Sequence, residues 1–210
     1  MTYRLVLLDL DSTLIQDEVI DLLAQEAGRG NEVKEITDRA MAGEMDFVEA
    51  LKKRVSYLSG LKVSIFEKLA REIQYSDGAM ELIEFCKSKR IPIGAVSGGF
   101  KQAVDALGLP QKLDFVRANE LEEENGIITG RLVGRIIDAA AKAEALLDFA
   151  ALTGVPLSET IAIGDGANDI EMIRTAGLGI AFKAKPALRD AADKEFSHSL
   201  TELIPLLRNF

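Results

Sequence analysis

The spacing of apolar residues changes twice along this chain. An unbroken apolar run, Leu5 to Leu8, opens the sequence and is typical of a buried strand. From residue 15 to residue 75, apolar residues recur every three or four positions, as they do in amphipathic helices. From residue 76 onward, apolar strand-like runs alternate with helical stretches. This alternation predicts a parallel sheet with helices on both faces.

The helical stretch reads as four consecutive helices. Asp46 has the position of an N-cap, and Ser64 stands three residues before Glu67, which is the spacing of a capping box. Glycines separate the four segments. We therefore expect an α/β core formed by residues 1–14 and 76–210, interrupted by an all-helical insertion over residues 15–75.

The second half of the sequence predicts the remaining core elements. Strands are expected over 91–96, 115–118, 160–163 and 178–182, and helices over 79–90, 138–153 and 201–207. Asn125-Gly126 is a turn signal for a hairpin that reaches Val133. In the helix over 138–153, Leu146, Leu147 and Phe149 are expected to face inward. The fold class is thus α/β, with a Rossmann-like, doubly wound parallel sheet and an inserted helical domain.

Composition narrows the possible partners. Of 210 residues, 48% are hydrophobic and 28% are charged, as in globular proteins, and the net charge of -9 disfavours nucleic acid or an anionic membrane as partner. Cys86 is the single cysteine, so no internal disulfide forms. No apolar run has the length of a membrane span, and no signal-peptide pattern begins the sequence. We expect a cytoplasmic protein, either a monomer or a homodimer.

The first candidate chemistry follows the first apolar run. Asp9 and Asp11 are two residues apart at the end of a strand, so both point to the same side. Two carboxylates held this close are costly unless a cation joins them, and oxygen ligands of this kind suit Mg²⁺. One of the two can act as a nucleophile while the other, with a pKa raised by its neighbour, carries a proton.

Two further predicted strands end in polar clusters. Ser97 precedes two glycines, and the strand over 160–163 leads to Asp165, Asn168 and Asp169. Ligands of open parallel sheets bind at the carboxyl ends of the strands, so all three clusters are expected to share one pocket.

Taken singly, each cluster also has an ordinary structural interpretation. An acidic turn, a glycine loop and an N-terminal capping cluster would account for the three of them. Lys142, on the helix over 138–153, would by default lie on a solvated face. An acidic pocket that holds a phosphate beside Asp9 nevertheless needs a fixed cation, and Lys142 is a candidate for it.

Together, these residues resemble the motifs of the haloacid-dehalogenase superfamily of phosphohydrolases. Its four motifs occur in order, as Asp9-Leu10-Asp11-Ser12-Thr13, Ser97-Gly98, Lys142 and Gly164-Asp165-Gly166-Ala167-Asn168-Asp169. Leu10 stands where phenylalanine is common, and no catalytic position is missing. Within the superfamily the sequence is similar to the phosphoserine phosphatase family. The matching segments are 9–18, 54–56, 96–100, 118–119 and 164–170.

The resemblance implies a role for each motif residue. Asp9 would be the nucleophile that forms an aspartyl-phosphate, and Asp11 the proton donor and acceptor. Mg²⁺ would be held by Asp9, Asp165, the backbone carbonyl of Asp11, and Asp169 as a ligand or nearby support. The phosphate-binding groups would be Leu10, Ser97, Gly98, Lys142 and Asn168.

The resemblance also implies that the helical insertion is a cap that selects the substrate, O-phosphoserine. Glu18 would bind its ammonium and Arg54 its carboxylate, while Met41 and Phe47 would line an apolar wall. Without the resemblance, Glu18 and Arg54 would be interpreted as surface charges and Met41 and Phe47 as core residues.

Other functions stay open at this point. A related enzyme could hydrolyse another small phosphomonoester or transfer the phosphoryl group to an alcohol. A signalling module that accepts phosphate on an aspartate would use a similar Asp, Lys and Mg²⁺ set, but Asp11 and the helical insertion argue against it. A non-catalytic binding protein is disfavoured because the motifs have no gap.

Overall fold

A seven-stranded sheet forms the centre of the computed structural model, which describes residues 2–41 and 44–207. The order of the strands is β4-β3-β2-β1-β5-β6-β7, and all neighbours are parallel except β3 and β4. The strands are β1 (Leu5–Asp9), β2 (Ile93–Phe100), β3 (Phe115–Glu124), β4 (Ile127–Val133), β5 (Thr160–Gly164), β6 (Leu178–Phe182) and β7 (Lys194–Phe196).

Ten α-helices accompany the sheet in the described part of the chain. Four of them lie within residues 15–75: α1 (Val19–Glu26), α2 (Gly30–Met41), α3 (Phe47–Ser56) and α4 (Ile65–Glu72). The others are α5 (Ala79–Lys89), α6 (Lys101–Ala106), α7 (Ala139–Thr153), α8 (Ile170–Thr175), α9 (Pro186–Arg189) and α10 (Ile204–Leu207). None of the helices in residues 2–41 and 44–207 has the length and apolarity needed to cross a bilayer.

Strand β1 is the centre of the sheet and is covered on both faces. Val6 and Leu8 belong to one apolar cluster, whereas Leu5 and Leu7 belong to another. All four side chains are fully buried. Because alternate residues of a strand face opposite sides, two apolar layers enclose this strand, which explains its unbroken apolar sequence. The predicted doubly wound α/β core is confirmed.

The helices α1 to α4 belong to a segment that we call the cap, residues 15–75. The chain enters and leaves it through two neighbouring segments, which pair as an antiparallel bridge between Ile15 and Tyr75. The amide of Gln16 donates to the carbonyl of Gln74 at 2.8 Å. Ile15 and Tyr75 are the first and last residues of the cap.

The cap also contacts the hairpin of β3 and β4. The amide of Gly60 donates to the carbonyl of Ile128, the amide of Ile128 to the carbonyl of Leu61, and the amide of Val63 to the carbonyl of Gly126. Asn125-Gly126 forms the predicted turn, with positive φ at both residues. The cap is therefore held to the core by main-chain hydrogen bonds, in addition to the two crossing segments.

Two local predictions about helices are wrong. Ser64 does precede α4, but its backbone is already helical (φ -58°, ψ -11°) and its side chain makes no capping hydrogen bond. Leu147 is 44% exposed, because α7 buries the face that carries Leu146 and Phe149 and Leu147 falls on the opposite side.

The sheet is more extensive than the sequence indicates. Strand β2 does not stop before Ser97 but continues to Phe100, with a shift in its pairing to β3 between these two residues. Strand β7 is not predicted, since it has three residues and two of them are charged. Cys86 is buried, and burial raises the pKa of its thiol to about 12.

Candidate active site

The strand ends predicted to meet do meet, around a buried lysine. Asp9 is the last residue of β1, and its Oδ1 accepts a hydrogen bond from Nζ of Lys142 at 2.7 Å. The same ammonium donates to Oδ1 of Asp169 at 2.6 Å. Lys142 is 1% exposed, so it is not on the solvated face that a helical lysine usually occupies. Asp138 sets this position, because it caps α7 one turn earlier by accepting from the amide of Ala141.

The segment after β5 supplies two more carboxylates. A tight helical turn over Ala167–Asp169 returns Asp169 toward the strand end, where its Oδ2 accepts from the amides of Asp165 and Gly166. Carboxylate oxygens of Asp9, Asp165 and Asp169 lie within 4.8 Å of one another. All three residues are buried. Gly164 faces Asp169 so closely that no side chain would fit at position 164.

Asp11 is held from the core and from the cap at once. Its Oδ2 accepts from the hydroxyl of Ser97 at 2.9 Å, and its Oδ1 accepts from the amide of Val19 at 3.0 Å. Val19 is the first residue of the cap helix α1. A Cβ at Gly99 would lie 2.5 Å from Oδ2 of Asp11, so the glycine at this position is required by the close approach. The orientation of Asp11 therefore depends on the seating of the cap.

Burial dominates the electrostatics of the site. It raises the pKa of Asp11 to about 6, with a further contribution from Glu18, and it also raises the pKa of Asp165 to about 6. Burial and the charge of Asp169 raise the pKa of Asp9 well above its usual value, against the opposing effect of Lys142. Burial opposes the charge of Lys142, but Asp169 and Asp9 outweigh burial and raise its pKa.

The buried groups fit a divalent cation. Three carboxylates and one ammonium carry a net charge of about -2 when all four are ionised. Each carboxylate loses hydration in this position, which explains the raised pKa values of Asp9 and Asp165. Mg²⁺ would compensate the charge, and carboxylate oxygens are the ligands it prefers. Asp9, Asp165 and Asp169 are the residues placed to hold it.

The predicted phosphate-binding residues surround these carboxylates. Gly98 lies in β2, next to Ser97, and Leu10 begins the turn that follows Asp9. Asn168 is partly buried in the turn before α8, and its Oδ1 faces Gly166. The structure thus gathers these groups at one edge of the sheet, while their roles remain predictions.

Two of the cap residues predicted to bind substrate differ in how they are held. Glu18 is partly buried and accepts a hydrogen bond from the hydroxyl of Ser12 at 2.8 Å. Arg54 forms no ion pair within the described ranges, and its Nε is buried without a hydrogen-bond partner there. Its Nη1 lies 3.5 Å from Oγ1 of Thr37. Burial lowers the pKa of Arg54, while the charges of Asp21 and Glu18 oppose this, although neither carboxylate lies within ion-pair distance. A partly buried guanidinium that no carboxylate contacts directly is suited to an anionic ligand.

The third cap residue reaches the core. The ring of Phe47 lies over Gly98, since a Cβ at Gly98 would be 3.4 Å from Cζ of Phe47. Phe47 therefore covers the strand end from the cap side, as an apolar wall would. The side chain of Met41 lies outside the described residues, and its role stays a prediction.

Several residues at the site were not assigned a role from the sequence. Ser12 orients Glu18, and Nζ of Lys185 lies 3.4 Å from Oδ2 of Asp165. Asn119 is buried, and its side-chain amide bonds to the backbone of Gly98 and of Ile137. Ser12 and Asn119 lie inside segments that carry the resemblance, whereas no pattern singles out Lys185.

The site combines a buried carboxylate at a strand end, a second carboxylate with a raised pKa, a fixed ammonium and a cluster suited to a divalent cation. Comparison with known proteins agrees with this chemistry. The family model of the haloacid dehalogenase-like hydrolases matches residues 6–174. The chain belongs to this family of hydrolases.

Within the family, the chain is similar to phosphoserine phosphatases. It is 50% identical to phosphoserine phosphatase from Streptococcus thermophilus, over 97% of this chain and 95% of the relative. It is 48% identical to phosphoserine phosphatase SerB2 from Mycobacterium tuberculosis, over 98% of this chain and 50% of the relative. It also covers 46% of phosphoserine phosphatase from Streptomyces coelicolor. The chain thus spans about half the length of these two longer relatives.

Solved structures show the same arrangement of the chain. A substrate-bound phosphoserine phosphatase complex superposes with a TM-score of 0.90 and 40% identity, over 99% of this chain and 100% of that chain. A phospho-aspartyl intermediate analogue of phosphoserine phosphatase superposes with a TM-score of 0.89 and 41% identity, over 99% and 100% of the two chains. The fold is therefore shared over nearly the whole length of the chain.

Proposed function

We propose that this chain is a Mg²⁺-dependent phosphoserine phosphatase. It hydrolyses O-phosphoserine to serine and inorganic phosphate through an aspartyl-phosphate on Asp9, which is the last step of serine biosynthesis. The observation that carries the proposal is the buried cluster of Asp9, Asp165 and Asp169 with Lys142, placed at the strand end and next to the cap. The relatives with this name, and the substrate-bound and phospho-aspartyl structures, support it.

Asp9 is the nucleophile of the proposed reaction. Its carboxylate oxygen attacks phosphorus in line, the bond from phosphorus to the serine oxygen breaks, and the phosphoryl group passes to Asp9. Water then attacks the same phosphorus, the bond from phosphorus to the Asp9 oxygen breaks, and phosphate leaves while the carboxylate of Asp9 is restored. Lys142 orients the carboxylate through its bond to Oδ1, and its charge favours the ionised form of Asp9.

Asp11 moves the protons of both steps. As a carboxylic acid it protonates the departing serine oxygen, and as a carboxylate it then accepts a proton from the attacking water. A pKa of about 6, raised by burial, suits a group that must both give and take a proton near neutral pH. Ser97 and Val19 hold both of its oxygens in place.

The remaining groups compensate the charge of the phosphoryl group. Lys142, the hydroxyl of Ser97, the amides of Leu10 and Gly98, and Asn168 surround it in this proposal. Asp9, Asp165, Asp169 and the backbone carbonyl of Asp11 are the groups that would hold Mg²⁺. When bound, this ion supplies Lewis-acid stabilisation of the phosphoryl oxygens and of the nucleophilic carboxylate.

The cap supplies recognition of the amino acid. Arg54, which no carboxylate of the described residues contacts at ion-pair distance, binds the substrate carboxylate, and Glu18 binds the ammonium. Phe47 and Met41 line the apolar side and exclude water when the cap is seated. Residues 15–75 are in this proposal a cap domain on a core of residues 1–14 and 76–210.

The proposed setting is the cytoplasm, with a small-molecule substrate and no nucleic-acid or membrane partner. A single buried thiol, Cys86, suits a reducing compartment. The protein acts as a monomer or a homodimer.

Phosphate release from O-phosphoserine tests the proposal. With Mg²⁺ present the chain is expected to turn over many times, and a chelator is expected to abolish turnover until Mg²⁺ is restored. No release with Mg²⁺ present would contradict the proposal.

A panel of phosphomonoesters, assayed with and without alcohol acceptors, distinguishes the alternative enzyme. Faster turnover of another phosphomonoester, or transfer of phosphate to the alcohol, would identify a different phosphatase or a phosphotransferase on the same site.

A further inference from the structure

The pairing of β2 with β3 is interrupted beside the candidate active site. Ser97 pairs with Ala118, but the next pair joins Phe100 to Asn119, so two residues of β2 have no partner in β3. These residues are Gly98 and Gly99. A bulge of this kind takes backbone groups out of the ladder and turns them toward other partners. Here Gly98 and Gly99 have no pairing partner in β3, so the carbonyl of Gly98 needs another hydrogen-bond donor.

Asn119 replaces the missing hydrogen bond. Its Nδ2 donates to the carbonyl of Gly98 at 2.8 Å, and its Oδ1 accepts from the amide of Ile137 at 2.8 Å. The side chain is 2% exposed. Only one orientation of the amide satisfies both neighbours, because a carbonyl must receive a donor and an N–H must meet an acceptor.

The second bond links the bulge to the helix that carries Lys142. Ile137 immediately precedes Asp138, the N-cap of α7, and the ammonium of Lys142 lies one turn further along. The two segments are already close, since a Cβ at Gly98 would lie 3.8 Å from the carbonyl oxygen of Ile137. One buried amide therefore joins two of the groups that are proposed to hold the phosphoryl group.

We propose that Asn119 is a positioning residue for phosphoryl transfer, an inference that rests on the proposed function. It does not touch the substrate. It sets the distance between the amide of Gly98 and the ammonium of Lys142, so that both groups meet the charge that develops on phosphorus.

The test compares Asn119→Asp with Gln102→Ala. Asn119→Asp keeps the shape and the acceptor for Ile137, but it removes the donor to Gly98. Gln102 is a matched control, because its amide also forms two bonds to the backbone of β3, both to Leu121, at 2.8 and 3.2 Å. Those bonds do not reach the site. Asn119→Ala, which removes both bonds, is measured beside them.

In Asn119→Asp, we expect kcat for O-phosphoserine to fall about 100-fold, as displaced catalytic groups do. The KM is expected to change by less than about threefold, because the cap residues that hold the serine part are unaltered. The inhibition constant of orthovanadate, which mimics five-coordinate phosphorus, is expected to rise with the fall in kcat. Gln102→Ala keeps the kcat of the unmodified chain.

Equal kcat values in Asn119→Asp and Gln102→Ala would overturn the inference. So would loss of folded structure in both Asn119 variants by circular dichroism, since the residue would then be an anchor of the fold. The kcat of each variant, relative to the kcat of the unmodified chain, is also measured with p-nitrophenyl phosphate as substrate. An unmodified chain that cleaves only p-nitrophenyl phosphate contradicts the proposed substrate but still decides the role of Asn119. A chain inert to both compounds contradicts both proposals.

Discussion

At the scale of single residues, Asp9 is the position on which the proposed chemistry depends. It is buried, bonded to Lys142 and within reach of two other carboxylates. Lys142 shares its ammonium between Asp9 and Asp169, so a change at Asp9 affects the electrostatics of the whole cluster. Asparagine keeps the shape of the side chain, but its neutral amide is not a nucleophile as the carboxylate is.

Asp9→Asn is therefore expected to abolish turnover of O-phosphoserine while the chain stays folded. Steady-state phosphate release measures the first effect and circular dichroism the second. Asp148→Asn, at an exposed position that pairs with Arg117, serves as the control and should be fully active. Appreciable turnover by a folded Asp9→Asn variant would rule out the covalent route.

Arg54→Ala is expected to raise the KM for O-phosphoserine more than tenfold. The reason is the loss of a charge-assisted hydrogen bond worth ~1.5–3 kcal/mol. Lys53→Ala, one residue earlier on the exposed side of α3, controls for the loss of a positive charge and should leave the KM unchanged. An unaltered KM in Arg54→Ala would assign carboxylate recognition to another residue.

At the scale of elements, the seating of the cap against the hairpin is the contact most open to experiment. Gly130 in β4 has a φ of +86°, and a Cβ there would lie 3.0 Å from Cβ of Ser59 and 3.1 Å from the carbonyl of Ser56. Gly134, just after β4, has a similar φ of +75°, but a Cβ at Gly134 would have no neighbouring atom within 4 Å. Both glycines thus have a positive φ, but only a side chain at position 130 would meet atoms of the cap.

Gly130→Ala is expected to destabilise the chain more than Gly134→Ala. Both variants bear the cost of an alanine at positive φ, about 1 kcal/mol, and Gly130→Ala adds a steric conflict of about 1–3 kcal/mol. Thermal unfolding measures the difference. Because the cap must move to relieve the conflict, the KM for O-phosphoserine should rise in Gly130→Ala alone. Equal effects of the two substitutions would show that the contact does not restrain the cap.

The elements also show which parts of the site can be read from sequence. Asp9, Ser97 and Asp165 are predictable because each follows an apolar run, and parallel strands bring such ends together. The burial of Lys142 is indicated only by the resemblance and by the need of an acidic phosphate pocket for a cation, since nothing local distinguishes it from a surface lysine. The bulge at Gly98 depends on how β3 pairs with β2, so neither the extension of β2 nor the bonds of Asn119 could be predicted from either segment by itself.

At the scale of the whole molecule, burial of acidic groups links stability to pH and to the metal. The pKa values of Asp11 and Asp165 are raised from 3.8 to about 6, and that of Asp9 is raised in the same direction. Below pH 6 the folded chain binds protons that the unfolded chain does not yet bind. The free energy of unfolding of the metal-free chain should therefore increase as the pH falls from 7 toward 4.

With a chelator present, we expect the melting temperature to rise between pH 7 and pH 5 by at least about 3 °C, the shift that ~1 kcal/mol produces in a chain of this size. Saturating Mg²⁺ should reduce this rise, because the ion stabilises the ionised carboxylates. Asp165→Asn should also reduce it, whereas Asp148→Asn should not. If the melting temperature of the metal-free chain instead decreases steadily as the pH is lowered from 7 to 5, the raised pKa values of Asp9, Asp11 and Asp165 do not control its stability.

The chain enters and leaves the cap at neighbouring positions, which the bridge between Ile15 and Tyr75 joins. This geometry would allow another helical segment to replace the cap. A helical segment from a relative could be spliced at these two positions without altering the spacing of β1 and β2, provided that its inner face continues the apolar cluster that the cap shares with the sheet. Such a hybrid would keep the phosphoryl chemistry of the recipient and acquire the selectivity of the donor. Substrate preference could thus diverge among descendants of one ancestor while the reaction stayed constant.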